Sequence, residues 1–215
     1  MTPIVKTLQL IAKEIKRFPV PSVTVVSFSK DPYLVLISCI LSLRTKDKTT
    51  EEAGSRLFHM ARTPEKMLQI PESMIEKLIF PVGFYRNKAK VILEISKRII
   101  EDFKGSVPDN LEDLLSLKGV GLKTANLVLG LGFKVPAICV DTHVHRISNR
   151  LGWIKTKTPE QSEAALRAVV PQKYWIELNT ILVTFGQNLC LPISPFCSRC
   201  PVKQLCRRVG VKTHR

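Results

Sequence analysis

Lys123 closes the run Leu117-Lys118-Gly119-Val120-Gly121-Leu122-Lys123, and Asp141, in Val140-Asp141-Thr142-His143, follows it by eighteen residues. An amine can attack an electrophilic carbon, and a carboxylate can take its proton or steady the positive charge that develops. The glycines at 119 and 121 permit backbone angles that a side chain forbids, so the N–H groups of Gly119, Val120 and Gly121 can converge on one anion. A helix starting after them adds unpaired N–H groups and the positive end of its dipole. A cation is disfavoured in such a first turn, which favours the free amine that attack on a sugar carbon requires. A phosphate grip beside an amine and a carboxylate points to DNA-cleaving chemistry. Taken singly, a lysine is usually a surface charge, and an aspartate after an apolar run such as Val135 to Val140 is usually a helix N-cap. The cap does not exclude catalysis, because the second carboxylate oxygen stays free.

A second constellation lies near the C-terminus. Cys190, Cys197, Cys200 and Cys206 are spaced C-x6-C-x2-C-x5-C. A disulfide framework is a poor reading for an intracellular chain of this length. Four thiolates in so short a stretch suggest metal, and a zinc site and a [4Fe–4S] cluster are both open to such ligands. Arg199, Lys203, Arg207 and Arg208 lie among them, either as a solvated loop or as a patch that meets phosphate. Cys39 and Cys139 sit in apolar surroundings and read as buried thiols. His143 and His145 have no second ligand set, so packing or phosphate contact suits them better than metal.

Helices must position these groups. Thr2-Pro3, Asp31-Pro32, Thr63-Pro64 and Thr158-Pro159 each show a cap followed by proline, the pattern of a helix start. Ile4, Leu8, Ile11, Ala12 and Ile15 recur at helical spacing, and Tyr33 to Leu43 is apolar almost all round, as a central buried helix is. Phe84 to Phe103 forms a long amphipathic helix with Val91, Ile92, Ile95, Ile99 and Ile100 inward. Ser22 to Phe28 is the one strand-like stretch, expected to be an extended linker since no second strand can pair with it. An all-α fold follows.

The 215 residues carry 33 Lys and Arg against 18 Asp and Glu, a formal charge of +15. With the glycine hairpin, this excess marks a nucleic-acid partner. No run spans a bilayer and no signal or transit peptide is evident, so a membrane is not expected and an intracellular protein is.

Together these segments resemble the endonuclease III family of DNA glycosylases. The match runs through Leu41-Ser42-Leu43-Arg44-Thr45-Lys46-Asp47, Val82-Gly83-Phe84-Tyr85-Arg86-Asn87-Lys88-Ala89, the hairpin and the C-terminal cysteines. The resemblance implies a two-lobed helical fold. One lobe is a helical barrel over 25–136 with the helix-hairpin-helix at about 111–133, and the other is 1–24 plus 137–215. Asp141 would lie at the seam. It implies Lys123 and Asp141 as the catalytic pair, and Gly119, Val120 and Gly121 as a phosphate grip, to which Lys118 adds a cation of its own. Arg44 and Phe84 would fill the gap left by a flipped-out nucleotide. It also favours a [4Fe–4S] cluster on Cys190, Cys197, Cys200 and Cys206, in the loop 190–206.

The activity implied is that of a bifunctional DNA N-glycosylase and abasic-site lyase in base excision repair, removing oxidised pyrimidines. The partner would be double-stranded DNA with damaged bases or abasic sites. A monomer in the cytoplasm or nucleoid is expected. Family relatives that only remove the base lack a lysine here. Better-known members carry glutamine and leucine in place of Arg44 and Phe84, and a proline in place of Lys118. A uracil or mismatched-thymine preference on the same fold, or a non-catalytic DNA-binding module, are the competing expectations.

Overall fold

The computed structural model describes residues 2–215, and every regular element among them is helical. In chain order these are α1 (Pro3–Ile15), α2 (Ser22–Ser27), α3 (Pro32–Ser42), α4 (Asp47–Met60), α5 (Pro64–Leu68) and α6 (Glu72–Ile79). Then come α7 (Tyr85–Phe103), α8 (Leu111–Ser116), α9 (Leu122–Phe133), α10 (Thr142–Leu151), α11 (Pro159–Val169), a 3-10 turn (Gln172–Tyr174) and α12 (Trp175–Asn188). The chain divides into two compact units, Ser22–Val135 and Met1–Pro21 with Pro136–Arg215. The first holds α2 to α9. The second holds α1, α10 to α12 and the cysteine loop.

Local chemistry sets the helix starts. Thr2, Asp31, Thr63 and Thr158 each accept a first-turn N–H, and a proline follows each cap. Such a cap is worth about 1 kcal/mol. In the first unit α3 is buried continuously from Tyr33 to Leu41. It packs against α9, α2, α4 and α7, and Tyr33 Oη meets Ser96 Oγ of α7 at 2.7 Å. Helix α7 turns Val91, Ile92, Ile95 and Ile99 into this core.

The segment expected to be an extended linker is instead helix α2. Its Ser22, Val23 and Ser27 are buried, and it packs on α3, α4 and α9. The β-branched valines favour a strand only weakly, and with no strand to pair with, packing against helices decides the conformation. The second unit has its own core. Leu8 and Ile11 of α1, Val144, Ile147 and Leu151 of α10, and Leu178, Leu182 and Phe185 of α12 meet there.

Candidate active site

The turn between α8 and α9 forms the expected hairpin. Val120 N–H donates to Leu117 O at 3.1 Å, and Gly119 has φ +76°, which a side chain rarely adopts. Gly121 behaves differently from expectation. Its φ of −99° and ψ of 177° are ordinary extended backbone, open to any residue. A Cβ there would meet nothing within 4 Å, so Gly121 contributes open space, not an unusual angle. It is the N-cap of α9 and supplies no side-chain cap, which leaves the first-turn N–H groups for an outside acceptor. Lys123 lies in that turn and is exposed. The buried Cys39 of α3 feels its charge. Burial pushes the Cys39 thiol up to about 12, and Lys123 pulls it back. Lys118 is held by Glu94 of α7 at 2.6 Å, so its charge is shared with that carboxylate.

Arg44 and Phe84, far apart in sequence, are brought together. The Arg44 guanidinium lies 5.6 Å from the Phe84 ring centroid. Both are exposed, and both take left-handed backbone, with φ 53° and 59°. For residues with a side chain that conformation costs roughly 1–2 kcal/mol each, and it persists only where the surroundings impose it. Gly83 permits the close approach: a Cβ there would stand 2.8 Å from Arg44 O. Leu43, Arg44, Phe84, Asn87, Lys88 and Gly119 share one open cavity of about 230 Å³. Volume does not mark the site, since a cavity of about 460 Å³ among α2, α3 and α4 holds none of these residues.

Sequence reasoning missed Lys88. The residue is 5% exposed, and its ammonium donates to Leu41 O at 2.7 Å, Leu43 O at 2.5 Å and Thr45 Oγ1 at 3.2 Å. Burial lowers its pKa to about 8. A signal was available, because Lys88 stands on the inward stripe Lys88, Val91, Ile92, Ile95, Ile99, where a lysine is out of place.

In the second unit Asp141 is the N-cap of α10. Its Oδ1 accepts from His143 N at 2.9 Å and Val144 N at 2.8 Å. One oxygen therefore does all the capping. His145 Nδ1 meets Ser162 Oγ at 2.6 Å, and Thr156 Oγ1 meets the same hydroxyl at 2.6 Å, a packing role. His143 Nδ1 lies 3.1 Å from the Arg146 guanidinium, which also donates to Cys190 O at 2.8 Å.

Cys190, Cys197, Cys200 and Cys206 all line one small cavity of about 30 Å³, walled by Leu151, Phe185, Phe196 and Val202. Arg150, 9% exposed, anchors this loop from α10. It donates to Leu191 O and Pro192 O at 2.6 Å each and to Cys190 Sγ at 3.6 Å. Arg208 N–H points at Cys206 Sγ at 3.4 Å. Burial pushes the Cys200 thiol up to about 11; a Val202 N–H opposes this, and the neighbouring thiols add to it. Four thiolates there need a cationic centre. Among the described residues no three His, Cys, Asp or Glu side chains are gathered closely enough to hold an ion. All four thiols nonetheless border the same cavity, and such a donor set is of the kind that would hold a thiolate-ligated metal centre. Of the basic residues here, Arg199 stacks on Phe196 at 4.0 Å, as Arg215 does.

Residues 37–172 match the family described as the HhH-GPD superfamily of base excision DNA repair proteins. Endonuclease III of Thermotoga maritima is 51% identical over 176 residues, 82% of this chain and 83% of that one. The chain belongs to the endonuclease III family. Two solved structures of that family carry the likeness through nearly the whole fold. One, a non-covalent endonuclease III–DNA complex, has a TM-score of 0.85 at 34% identity, covering 97% of this chain and 96% of that one. The other is a trapped endonuclease III–DNA covalent intermediate, an estranged-adenine complex. It has a TM-score of 0.83 at 33% identity and covers 97% of both chains. Among the described residues no helix is long and apolar enough to cross a membrane.

Proposed function

We infer that the chain is a bifunctional DNA glycosylase and abasic-site lyase of base excision repair, and that its substrates are oxidised pyrimidines in duplex DNA. Membership of the endonuclease III family carries the activity. The pyrimidine preference rests on resemblance. The observation that supports the assignment of roles is Lys123 in the uncapped first turn after the Gly119 hairpin.

The hairpin N–H groups hold a backbone phosphate, while Arg44 and Phe84 enter the duplex where the damaged nucleotide has rotated out. Lys123 Nζ bonds to the anomeric carbon as the bond to the base breaks, and the base leaves with the electron pair and a proton. Opening of the sugar ring gives an imine, which acidifies the adjacent C2′ proton. Loss of that proton expels the 3′ phosphate. Water then releases the cleaved strand. Asp141 takes the amine proton or faces the cationic sugar with the oxygen that does not cap α10. The enzyme acts where chromosomal DNA lies, inside the cell.

An abasic-site duplex should be nicked by the purified protein by β-elimination, and a panel of duplexes should show release of oxidised pyrimidines ahead of uracil or mismatched thymine. An intact abasic duplex would remove the lyase assignment. Preferential release of uracil or thymine would leave the chemistry standing and change the substrate.

We also propose that the four thiols hold a [4Fe–4S] cluster. Their spacing, their common cavity and the N–H and guanidinium donors aimed at sulfur support it. When bound, it supplies a cross-link that fixes the shape of the basic loop, and the reaction needs no electron from it. Purified protein should be yellow-brown with about four irons per chain. One zinc and no iron, after expression with ample iron, would overturn this.

A further inference from the structure

We propose that Lys88 is a positioning residue for base extrusion: it binds the Arg44 loop and the Phe84 loop into one rigid wedge. The proposal rests on the assignment of Arg44 and Phe84 as the residues that fill the duplex.

Helix α3 ends at Ser42, and the last carbonyls of a helix lack partners within it. Two acceptors at this end, Leu41 O and Leu43 O, are taken by Lys88 Nζ at 2.7 and 2.5 Å. A cation there also complements the negative end of the helix dipole. The third donor reaches Thr45 Oγ1 at 3.2 Å. That hydroxyl accepts in turn from Gly83 N–H at 3.2 Å and donates to Leu43 O at 3.2 Å. One proton and two lone pairs are thus all in use. Arg44 stands between the two residues that Lys88 grips on its own loop, and Phe84 directly follows Gly83. Two loops nearly forty residues apart are therefore joined through a single ammonium and a single hydroxyl.

This linkage accounts for the backbone of the wedge. Arg44 and Phe84 both hold left-handed angles without being glycine, so the surroundings must impose them. Lys88 and Thr45 are those surroundings, together with the contact of Gly83 against Arg44 O. Phe84 is also the N-cap of α7, the helix that carries Lys88 on its first inward turn. At 5% exposure Lys88 is not available to grip a phosphate itself. Its effect on DNA must pass through the two residues it sets.

The test uses single-turnover borohydride trapping on two substrates. One is an abasic site in a duplex, whose sugar must be extruded. The other is an abasic site in a single strand, whose sugar is already free. Lys88→Met should slow the duplex reaction about tenfold or more, a loss of about 1.4 kcal/mol in transition-state stabilisation. It should leave the single-strand reaction within about twofold of wild type, a change too small to mark lost chemistry. The double variant Arg44→Ala/Phe84→Ala should show the same pattern. Adding Lys88→Met to it should cost nothing further, because residues that act as a unit are not additive.

Equal slowing on both substrates, or a full additional loss in the triple variant, would overturn the proposal. A double variant that reacts like wild type on the duplex would instead remove the wedge assignment on which it rests. Should Lys88→Met fail to fold, Thr45→Val breaks the same bridge without deleting the ammonium, and the same comparisons apply. Fluorescence of 2-aminopurine opposite the lesion gives an independent reading: its rise on binding should fall in the Lys88 and Thr45 variants.

Discussion

Replacing Lys123 by glutamine leaves a folded protein that binds DNA and neither traps nor cleaves it. The first half of that expectation comes from the environment of the residue. Lys123 is exposed in the first turn of α9, and glutamine has nearly the same helix propensity. The phosphate grip proposed for the hairpin is backbone around Gly119, which the change does not touch. The second half comes from chemistry. An amide nitrogen has no nucleophilic lone pair, so no imine forms, and without the imine the C2′ proton is not acidified and the 3′ phosphate stays. Glycosidic cleavage and strand cleavage should therefore fall together by several orders of magnitude, while the binding constant stays within a few-fold. Borohydride reduction followed by peptide mapping decides the matter. An adduct on any other lysine, or an undiminished adduct in Lys123→Gln, means that the nucleophile lies elsewhere.

What the sequence disclosed depended on how local the determinant was. The caps at Thr2, Asp31, Thr63 and Thr158 could be recognised because a cap and its proline lie within one turn, and all four form. The hairpin turn was legible for the same reason, since neighbours in the chain set it. Helix α2 was not legible, since its valines point to a strand and only contacts with α3, α4 and α9 make it helical. Nor could Gly121 be judged, because its value is empty space in front of α9 and not its own angle.

The least legible features join distant segments. Arg150 clamps a loop forty residues on, Glu94 meets Lys118, and Lys88 ties the Arg44 and Phe84 loops. Helix α7 organises much of this. Phe84 stands at its N-cap position, Lys88 grips α3 and its loop, a Cβ on Gly119 would meet Val91 at 3.2 Å, and Glu94 and Arg98 hold Lys118 and Ser116 O. The spacing 84, 88, 91, 94, 98 is one helical stripe. In the sequence this stripe is visible only as an amphipathic helix, because its partners are not adjacent to it.

Asp141→Asn separates the helix cap from the catalytic role proposed for the same carboxylate. Capping uses Oδ1 alone, which accepts both His143 N–H and Val144 N–H. An asparagine oxygen caps about as well as an aspartate oxygen, so α10 should keep its start. The loss of negative charge at a helix N-terminus costs about 0.3–1 kcal/mol at most on an exposed surface, and the melting temperature should fall only slightly. Catalysis has no such substitute. An amide neither accepts a proton near neutral pH nor offsets charge on the sugar, and such electrostatic support in a water-poor site is worth about 3–4 kcal/mol. Base release should accordingly slow by about a hundredfold to a thousandfold under single-turnover conditions. DNA affinity should hold or rise, since one negative charge fewer opposes a polyanion. Serine at this position also caps a helix and should behave alike, which distinguishes lost charge from a misplaced amide. Wild-type turnover in either variant would reduce Asp141 to a cap. A large fall in melting temperature with the same loss of rate would show instead that Oδ2 has structural work, and that the role assigned to it is wrong.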